Sequence, residues 1–308
     1  MPSRSEILNS ILNDQNGTLD FLKLDNQRKD YLLQLSAYTN RNVIAYYSGW
    51  MSKGNAEDVS INDKDINAFM DTVHKLDKSK GLDLILHTPG GDIAATEQII
   101  NYLHSIFDND IRAIIPQMAM SAGSLISVSC KEIIMGKQSC LGPFDPQMGG
   151  VACQSVIKEF EDAKEDIKNN PQSLGLWQVI VSKYHPTFLL ACKQAVLLTN
   201  ELTDKVLERT ISNDDVREKI KGLFNDNSVS KLHSRHYSKE KVKKVGLNVI
   251  DLESDQKLQD LVLSLHHSYI ITLEHSLITK IVENQIGSTY IRALPIPQDV
   301  QQKIAEKQ

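Results

Sequence analysis

Paired cysteines are missing from this 308-residue chain. Its four cysteines, Cys130, Cys140, Cys153 and Cys192, form no CxxC pair, which removes a zinc reading. Buried thiols in a reducing compartment are expected instead. No apolar run reaches the roughly 18–20 residues of a membrane span. The opening Met1-Pro2-Ser3-Arg4-Ser5-Glu6-Ile7-Leu8 lacks a signal-peptide apolar region, so a cytoplasmic location is expected. An excess of positive charge is also absent. With 34 Lys and Arg against 39 Asp and Glu the formal net charge is −5, and no bulk pull toward nucleic acid is expected. There is no low-complexity tract and no Walker-type phosphate loop, so any unfolding motor would be another chain. No cofactor or metal signature is found.

What is there is ordinary soluble material with two unusual turns. Hydrophobic content of 41% and charged content of 24% are globular, and the length allows one large domain or two ordinary ones. Leu82 to Leu86 and Ile111 to Ile115 read as buried strands. The first ends in Thr88-Pro89-Gly90-Gly91-Asp92, where the backbone must turn sharply. Its glycines leave the amides uncovered near the start of a helix, a setting that favours negative charge. The second ends in Met120-Ser121-Ala122-Gly123, another small-residue turn before a helix. A bare-amide cradle beside a serine supplies two parts of an acyl-transfer site.

The rest of the chain alternates between strand and helix. Residues 5–36 predict a pair of packing helices broken at Asp14 to Gly17. Asn42 to Trp50 predicts the first core strand. Ser60 to Asp63 caps a helix carrying Ile66, Phe69, Met70 and Val73. Then follow strand 82–86, helix 93–106, strand 111–115, helix 122–129 and strand 132–136. This order argues for parallel strands with crossover helices. A helix over 154–170, a long helical region from Leu176 to Ile211 interrupted at His185-Pro186, and a basic loop from Lys231 to Tyr237 come next. Val249-Ile250-Asp251 reads as a last strand, 254–285 as a long helix, and the chain after Pro295 as a loose tail.

These residues carry a family resemblance. Thr88-Pro89-Gly90-Gly91-Asp92 resembles the Ser-Pro-Gly-Gly turn of the ClpP/crotonase superfamily. Ala119-Met120-Ser121-Ala122-Gly123 resembles the nucleophile turn of ClpP and of SppA-type signal peptide peptidases, at about the same separation. The chain is most similar to the serine dehydrogenase proteinase family. That likeness extends through Leu141–Gln147, Lys183–Pro186, Lys231–His236 and Gln259–Leu263, and covers about residues 40–290. The resemblance implies an α/β fold, a spiral of ββα units with added N- and C-terminal helices. It divides the chain into an N-terminal helical segment (1–40), a catalytic core (41–160), a helical extension (161–290) and a tail (291–308). It also implies a homo-oligomer acting on a peptide or protein substrate.

The general base is not settled by these motifs. Where ClpP has its histidine, this chain has Asp145, in Asp145-Pro146-Gln147-Met148-Gly149-Gly150. An aspartate can orient a base but takes a proton from serine poorly unless burial raises its pKa. SppA-type relatives use a lysine downstream of the serine, which points to Lys183, and His185 sits in the same turn. His233, Arg235 and His236 read as a solvated loop or a contact for a substrate carboxylate. His87 reads as a packed strand-end residue, one of His266-His267 as a core histidine, and Ser124 as a residue buried one helical turn in.

The leading expectation is therefore a serine peptidase. Ser121 attacks, the amides of Gly91 and Ala122 hold the oxyanion, and Lys183 or His185 moves the proton, with Asp145 in a supporting role. The alternatives are a catalytically idle peptide- or protein-binding module and, third, acyl-CoA chemistry on the same cradle.

Overall fold

The continuous apolar runs of the sequence are its sheet. The computed structural model describes residues 3–12, 18–54 and 56–295. Parallel strands β1 (Asn42–Ser48), β2 (Leu82–His87), β3 (Ile111–Ile115), β5 (Glu132–Met135) and β10 (Val249–Asp251) form most of it. Two further strands, β11 (Ile278–Asn284) and β12 (Thr289–Ala293), add to it antiparallel, giving the order β10-β5-β3-β2-β1-β11-β12. Every residue of β1 and β2 is buried, as expected for parallel strands covered on both faces.

Helices supply the two covers. On one face lie α4 (Asp65–Val73), α5 (Ile93–Phe107) and α6 (Ala122–Val128), which bury Phe69, Ile99, Ile100, Leu103 and Leu125 against Ile44, Leu84 and Ala113. On the other face, α2 (Phe21–Thr39) and α13 (Gln256–His275) bury Leu32, Leu35, Leu261, Leu265 and Tyr269 against Val43, Ala45, Ile85 and Ile114. The short α1 (Arg4–Ile11) packs Ile7 and Ile11 against Leu24 and Ile271, and the four-residue α3 (Trp50–Lys53) follows β1. A buried pin joins this layer: Arg28 donates to both oxygens of Glu283, at 2.6 and 3.0 Å, and Tyr269 donates to the same carboxylate. The expected break at Asp14 to Gly17 lies outside the described residues.

The ββα grammar is visible in the connections. After β3 the chain makes β4 (Met118–Ala119) and then α6. After β5 it makes β6 (Cys140–Leu141), which joins β4 and β9 (Tyr237–Ser238) in a small second sheet. After β2, Thr88 pairs with Ala119 and Gly91 with Ile61 before α5 begins. A hairpin of β7 (Gln147–Met148) and β8 (Val151–Ala152) follows, with Gly149 and Gly150 both at positive φ in its tip.

The helical extension contains α7 (Cys153–Asn169), α8 (Leu174–Val181), α9 (Phe188–Glu208), α10 (Asp214–Phe224), α11 (Asn227–Ser230) and α12 (Lys239–Lys244). The His185-Pro186 interruption separates α8 from α9, as the restriction before proline requires. Apolar α8 leaves Leu174, Leu176, Val179 and Val181 exposed.

One expectation is corrected here. Residues 254–285 are not one helix: α13 ends at His275, and 278–284 form β11. The run Ile278-Thr279-Lys280-Ile281-Val282 is β-branched and apolar, and a short run of that kind reads as either element until its pairing partner is known. That partner is β1, 236 residues earlier at the strand starts. Of the expected tail, 291–293 belong to β12, and residues from 296 on lie outside the described residues. Among the described residues, no helix is long and apolar enough to cross a membrane.

Candidate active site

The two small-residue turns meet. Thr88 N–H donates to the Met118 carbonyl at 3.2 Å, and Met120 N–H donates to the Thr88 carbonyl at 2.9 Å. This pairing sets the end of β2 beside the residues leading into Ser121. A Cβ built on Gly90 would stand 2.6 Å from the Cβ of Ser121, 2.7 Å from the Met120 oxygen and 2.8 Å from the Ala122 nitrogen. Gly90 also has φ +98°, so both space and backbone conformation require glycine. Gly123 is packed as closely, since a Cβ there would meet the Thr88 methyl at 2.4 Å.

Ser121 sits at φ 50°, ψ −120°, at the junction of β4 and α6. A non-glycine residue in that region costs roughly 1–3 kcal/mol and persists only where its surroundings hold it. The same geometry presents a serine hydroxyl at the top of a sharp strand-to-helix turn. Ser124, one turn further, is fully buried. It donates to the Ala119 carbonyl and accepts from the Gly142 amide, so it is a structural residue of this turn.

The amide cradle follows from the pairing with Ile61. Ile61 N–H donates to the Gly90 carbonyl, and Asp92 N–H donates to the Ile61 carbonyl. In such a parallel bridge the middle residue's own N–H points to the opposite side. Neither the Gly91 nor the Ala122 amide has an acceptor among the described residues. Asp92 is occupied as the N-cap of α5, accepting from Ala95 N–H at 2.8 Å.

Ile61 is in turn braced from below. Lys280, on β11, is fully buried and bonds both oxygens of Asp65, at 2.7 and 2.8 Å, and the Ser60 carbonyl at 2.9 Å. Asp65 also accepts from Tyr46 and from the Asn62 amide. This network fixes the segment on either side of Ile61. Burial lowers the Lys280 pKa, an effect the Asp65 charge opposes.

Two hollows converge on Ser121. One, of about 420 Å³, is lined by Trp50, Met51, Met118, Met120, Ser234 and His236. The other, of about 560 Å³, is lined by Gly91, Phe144, Gln147, Met148, Ala195 and Leu198, among others. Pro89, Ser121 and His233 line both.

Two imidazoles reach these hollows: His236 lines one and His233 lines both. His233 is the one held by a carboxylate. Its Nδ1 lies 2.9 Å from Oδ1 of Asp145, which is almost fully buried. The other Asp145 oxygen accepts from Gln147 at 2.8 Å and Asn227 at 3.0 Å. Asn227 is itself held, accepting from Ser155 and donating its own N–H to Gln154. A carboxylate fixed this way keeps the His233 proton on Nδ1 and leaves the Nε2 lone pair free, as a general base needs. No hydrogen bond links Ser121 Oγ to His233 among the described residues.

The structure brings Ser121, Gly91, Ala122 and Asp145 to one cleft. It does not bring Lys183 or His185 there. Both are exposed between α8 and α9, line neither hollow, and His185 bonds only the carbonyl of Pro186. Cys153 lies just behind the Asp145 loop, but burial and a contact with Cys192 push its thiol up to about 12, so it is no competing nucleophile. Among the described residues, no group of three His, Cys, Asp or Glu side chains is arranged to hold a metal ion.

Sequence reasoning read His233 as a solvated loop residue or a carboxylate contact and gave Asn227 and Gln147 no role in the site. The available signal was indirect: an aspartate where a histidine was expected, and a basic loop 88 residues later.

A family profile described as ClpP-like SDH-type serine proteinase matches residues 57–249. Two relatives from Methanocaldococcus jannaschii are similar to this chain. The uncharacterized protein MJ0137 is 37% identical over 113 residues, covering 37% of this chain and 39% of that protein. The uncharacterized protein MJ1495 is 31% identical over 168 residues, covering 54% of this chain and 51% of its own length. The matches thus span about half, or less, of each relative.

Proposed function

This chain belongs to the ClpP-like family of SDH-type serine proteinases, and from that premise we propose that it hydrolyses peptide bonds through an acyl-enzyme on Ser121, with His233 as base and Asp145 as its orienting carboxylate. One observation carries the reading. The histidine whose Nδ1 is 2.9 Å from buried Asp145 also lines both hollows with Ser121. Catalytic hydrogen bonds are often long before substrate binds, so the absent Ser121–His233 bond does not weigh against it.

Ser121 Oγ attacks the peptide carbonyl and gives its proton to His233 Nε2. The amides of Gly91 and Ala122 receive the oxyanion. Asp145 stabilises the imidazolium, which then protonates the leaving amine. Water repeats the sequence on the ester and frees Ser121. His233 here takes the part that sequence reasoning gave to Lys183 or His185. The assignment is tested with a fluorophosphonate probe and a casein-type substrate. Labelling at Ser121, lost in Ser121→Ala and reduced at least ~10²-fold in His233→Ala, is expected. Undiminished cleavage by Ser121→Ala removes the proposal.

A second reading, a catalytically idle peptide-binding module, draws on Ser121 Oγ having no hydrogen-bond partner among the described residues. It is separated from the first by the same probe, since it requires no labelling and unchanged peptide binding in Ser121→Ala.

A further inference from the structure

A cavity of about 530 Å³ lies beside the catalytic cleft and takes no part in the chemistry above. It opens where β1, β2 and β3 end, beneath α13, the end of a parallel sheet at which open α/β folds hold ligands. Its apolar lining comes from Met51, Pro116, Leu263, Ile270 and Leu273. Its volume is in the range of small-molecule sites. Trp50 separates it from the cleft: the indole packs at 4.3 Å on the ring of His87, which lines this cavity, and itself lines the hollow beside Ser121.

The polar lining is specific. His87 is fully buried, and its Nε2 meets Gln117 Oε1 at 3.1 Å, while Nδ1 has no partner of hydrogen-bonding geometry. That nitrogen lies against the Ser48 backbone and is closed off from the cavity. His266 meets the Tyr47 hydroxyl at 3.2 Å through Nδ1, so one ring nitrogen remains without a partner among the described residues. Gln138 and His267 complete this side. The charged groups of the lining, Arg4 and Glu274, are paired with each other. Both inner imidazoles are held neutral by burial, His87 at about 4 and His266 well below its ordinary value. The wall thus offers hydrogen-bonding nitrogens and hydrocarbon, with no net charge to match an ion.

We propose that this cavity is a second ligand site, for a small uncharged molecule with an aromatic or aliphatic body and one hydroxyl or N–H group that bonds the free ring nitrogen of His266. Nothing in the proposal depends on hydrolysis, so it is tested on the full chain carrying Ser121→Ala, which also keeps the cleft chemically silent.

The probe is 4-bromophenol, neutral at pH 7, with benzoate and benzylamine as charged counterparts of similar size. At saturating 4-bromophenol the unfolding midpoint is expected to rise by ~2–4 °C, with little change for the charged pair. Ile270→Trp fills the cavity and is expected to abolish the shift. Should that variant fail to fold, the bromine itself locates the site by anomalous scattering in soaked crystals of the Ser121→Ala chain. Bromine between His87 and Ile270 supports the proposal. Bromine only in the Ser121 cleft, no saturable binding, or equal binding of benzoate and benzylamine overturns it.

Discussion

Gly90 and Ser121, 31 positions apart, are in contact so close that a single methyl group on the glycine would fall 2.6 Å from the serine Cβ. A Gly90→Ala chain must move one turn relative to the other, and it also carries alanine at φ +98°. Displacement of about 1 Å at a reacting group costs ~10²-fold in rate. Hydrolysis and fluorophosphonate labelling should fall by about that factor. Gly175→Ala, a helical glycine with open space around it, is the control and should leave both unchanged.

Asp145 is held by three donors, and only one of them is His233. Asp145→Asn preserves the shape but presents an amide that cannot hold the proton on His233 Nδ1. Loss of about 10²–10⁴-fold in kcat is expected, with KM little altered. Asn227→Ala should cost less, because Gln147 still anchors the same oxygen. Equal loss from both variants would show that the loop has simply come apart, which a parallel unfolding curve detects.

The brace beneath Ile61 separates stability from positioning. Lys280→Met leaves the Asp65 charge buried and unpaired, and a loss of ~3–5 kcal/mol is expected. Lys280→Met with Asp65→Leu removes both charges and should recover most of that stability. Activity should stay low in the double variant, because Ser60 and Asn62 have both lost their anchors. Chemical denaturation and single-turnover acylation read the two effects independently.

Lys183 and His185 give the converse test. Both are exposed and line neither hollow. Lys183→Met and His185→Asn should each leave kcat/KM within about twofold, in keeping with surface substitutions generally.

Acid should weaken the fold through His87. Burial lowers its pKa from 6.5 to about 4 in the folded protein. Between those values the unfolded chain binds the proton and the folded one does not, so stability falls as pH drops from about 6.5 to about 4. The full contribution is about 3 kcal/mol. His266 acts in the same direction. Urea midpoints measured from pH 7 to pH 4 should show a shallower decline for His87→Gln than for the parent chain.

Much of the framework was legible because it depends on local chemistry. Leu82–His87 and Ile111–Ile115 are short, largely apolar runs closed by Pro89-Gly90-Gly91 and by Pro116, flanks that favour a buried strand over a helix. The Pro89-Gly90-Gly91 and Met120-Ser121-Ala122-Gly123 turns show themselves because small residues leave nothing to hide the backbone. β11 was missed because its identity is decided by β1, far away in the chain. His233 was read as a loop residue for the same kind of reason. Lys231 to His236 is polar and basic, which describes a solvated loop well, and only the spatial approach of Asp145 distinguishes one histidine of that loop from its neighbours. The turn at His185-Pro186 looked more promising locally, but α8 carries it outward.

The wide spacing of Ser121, Asp145 and His233 has a consequence for how the chain is made. A ribosome releases the hydroxyl more than a hundred residues before the imidazole that would arm it. On the proposed assignment, every growing or prematurely terminated product that stops short of the second loop carries a harmless serine. Hydrolytic power, on that assignment, waits for the loop that carries His233.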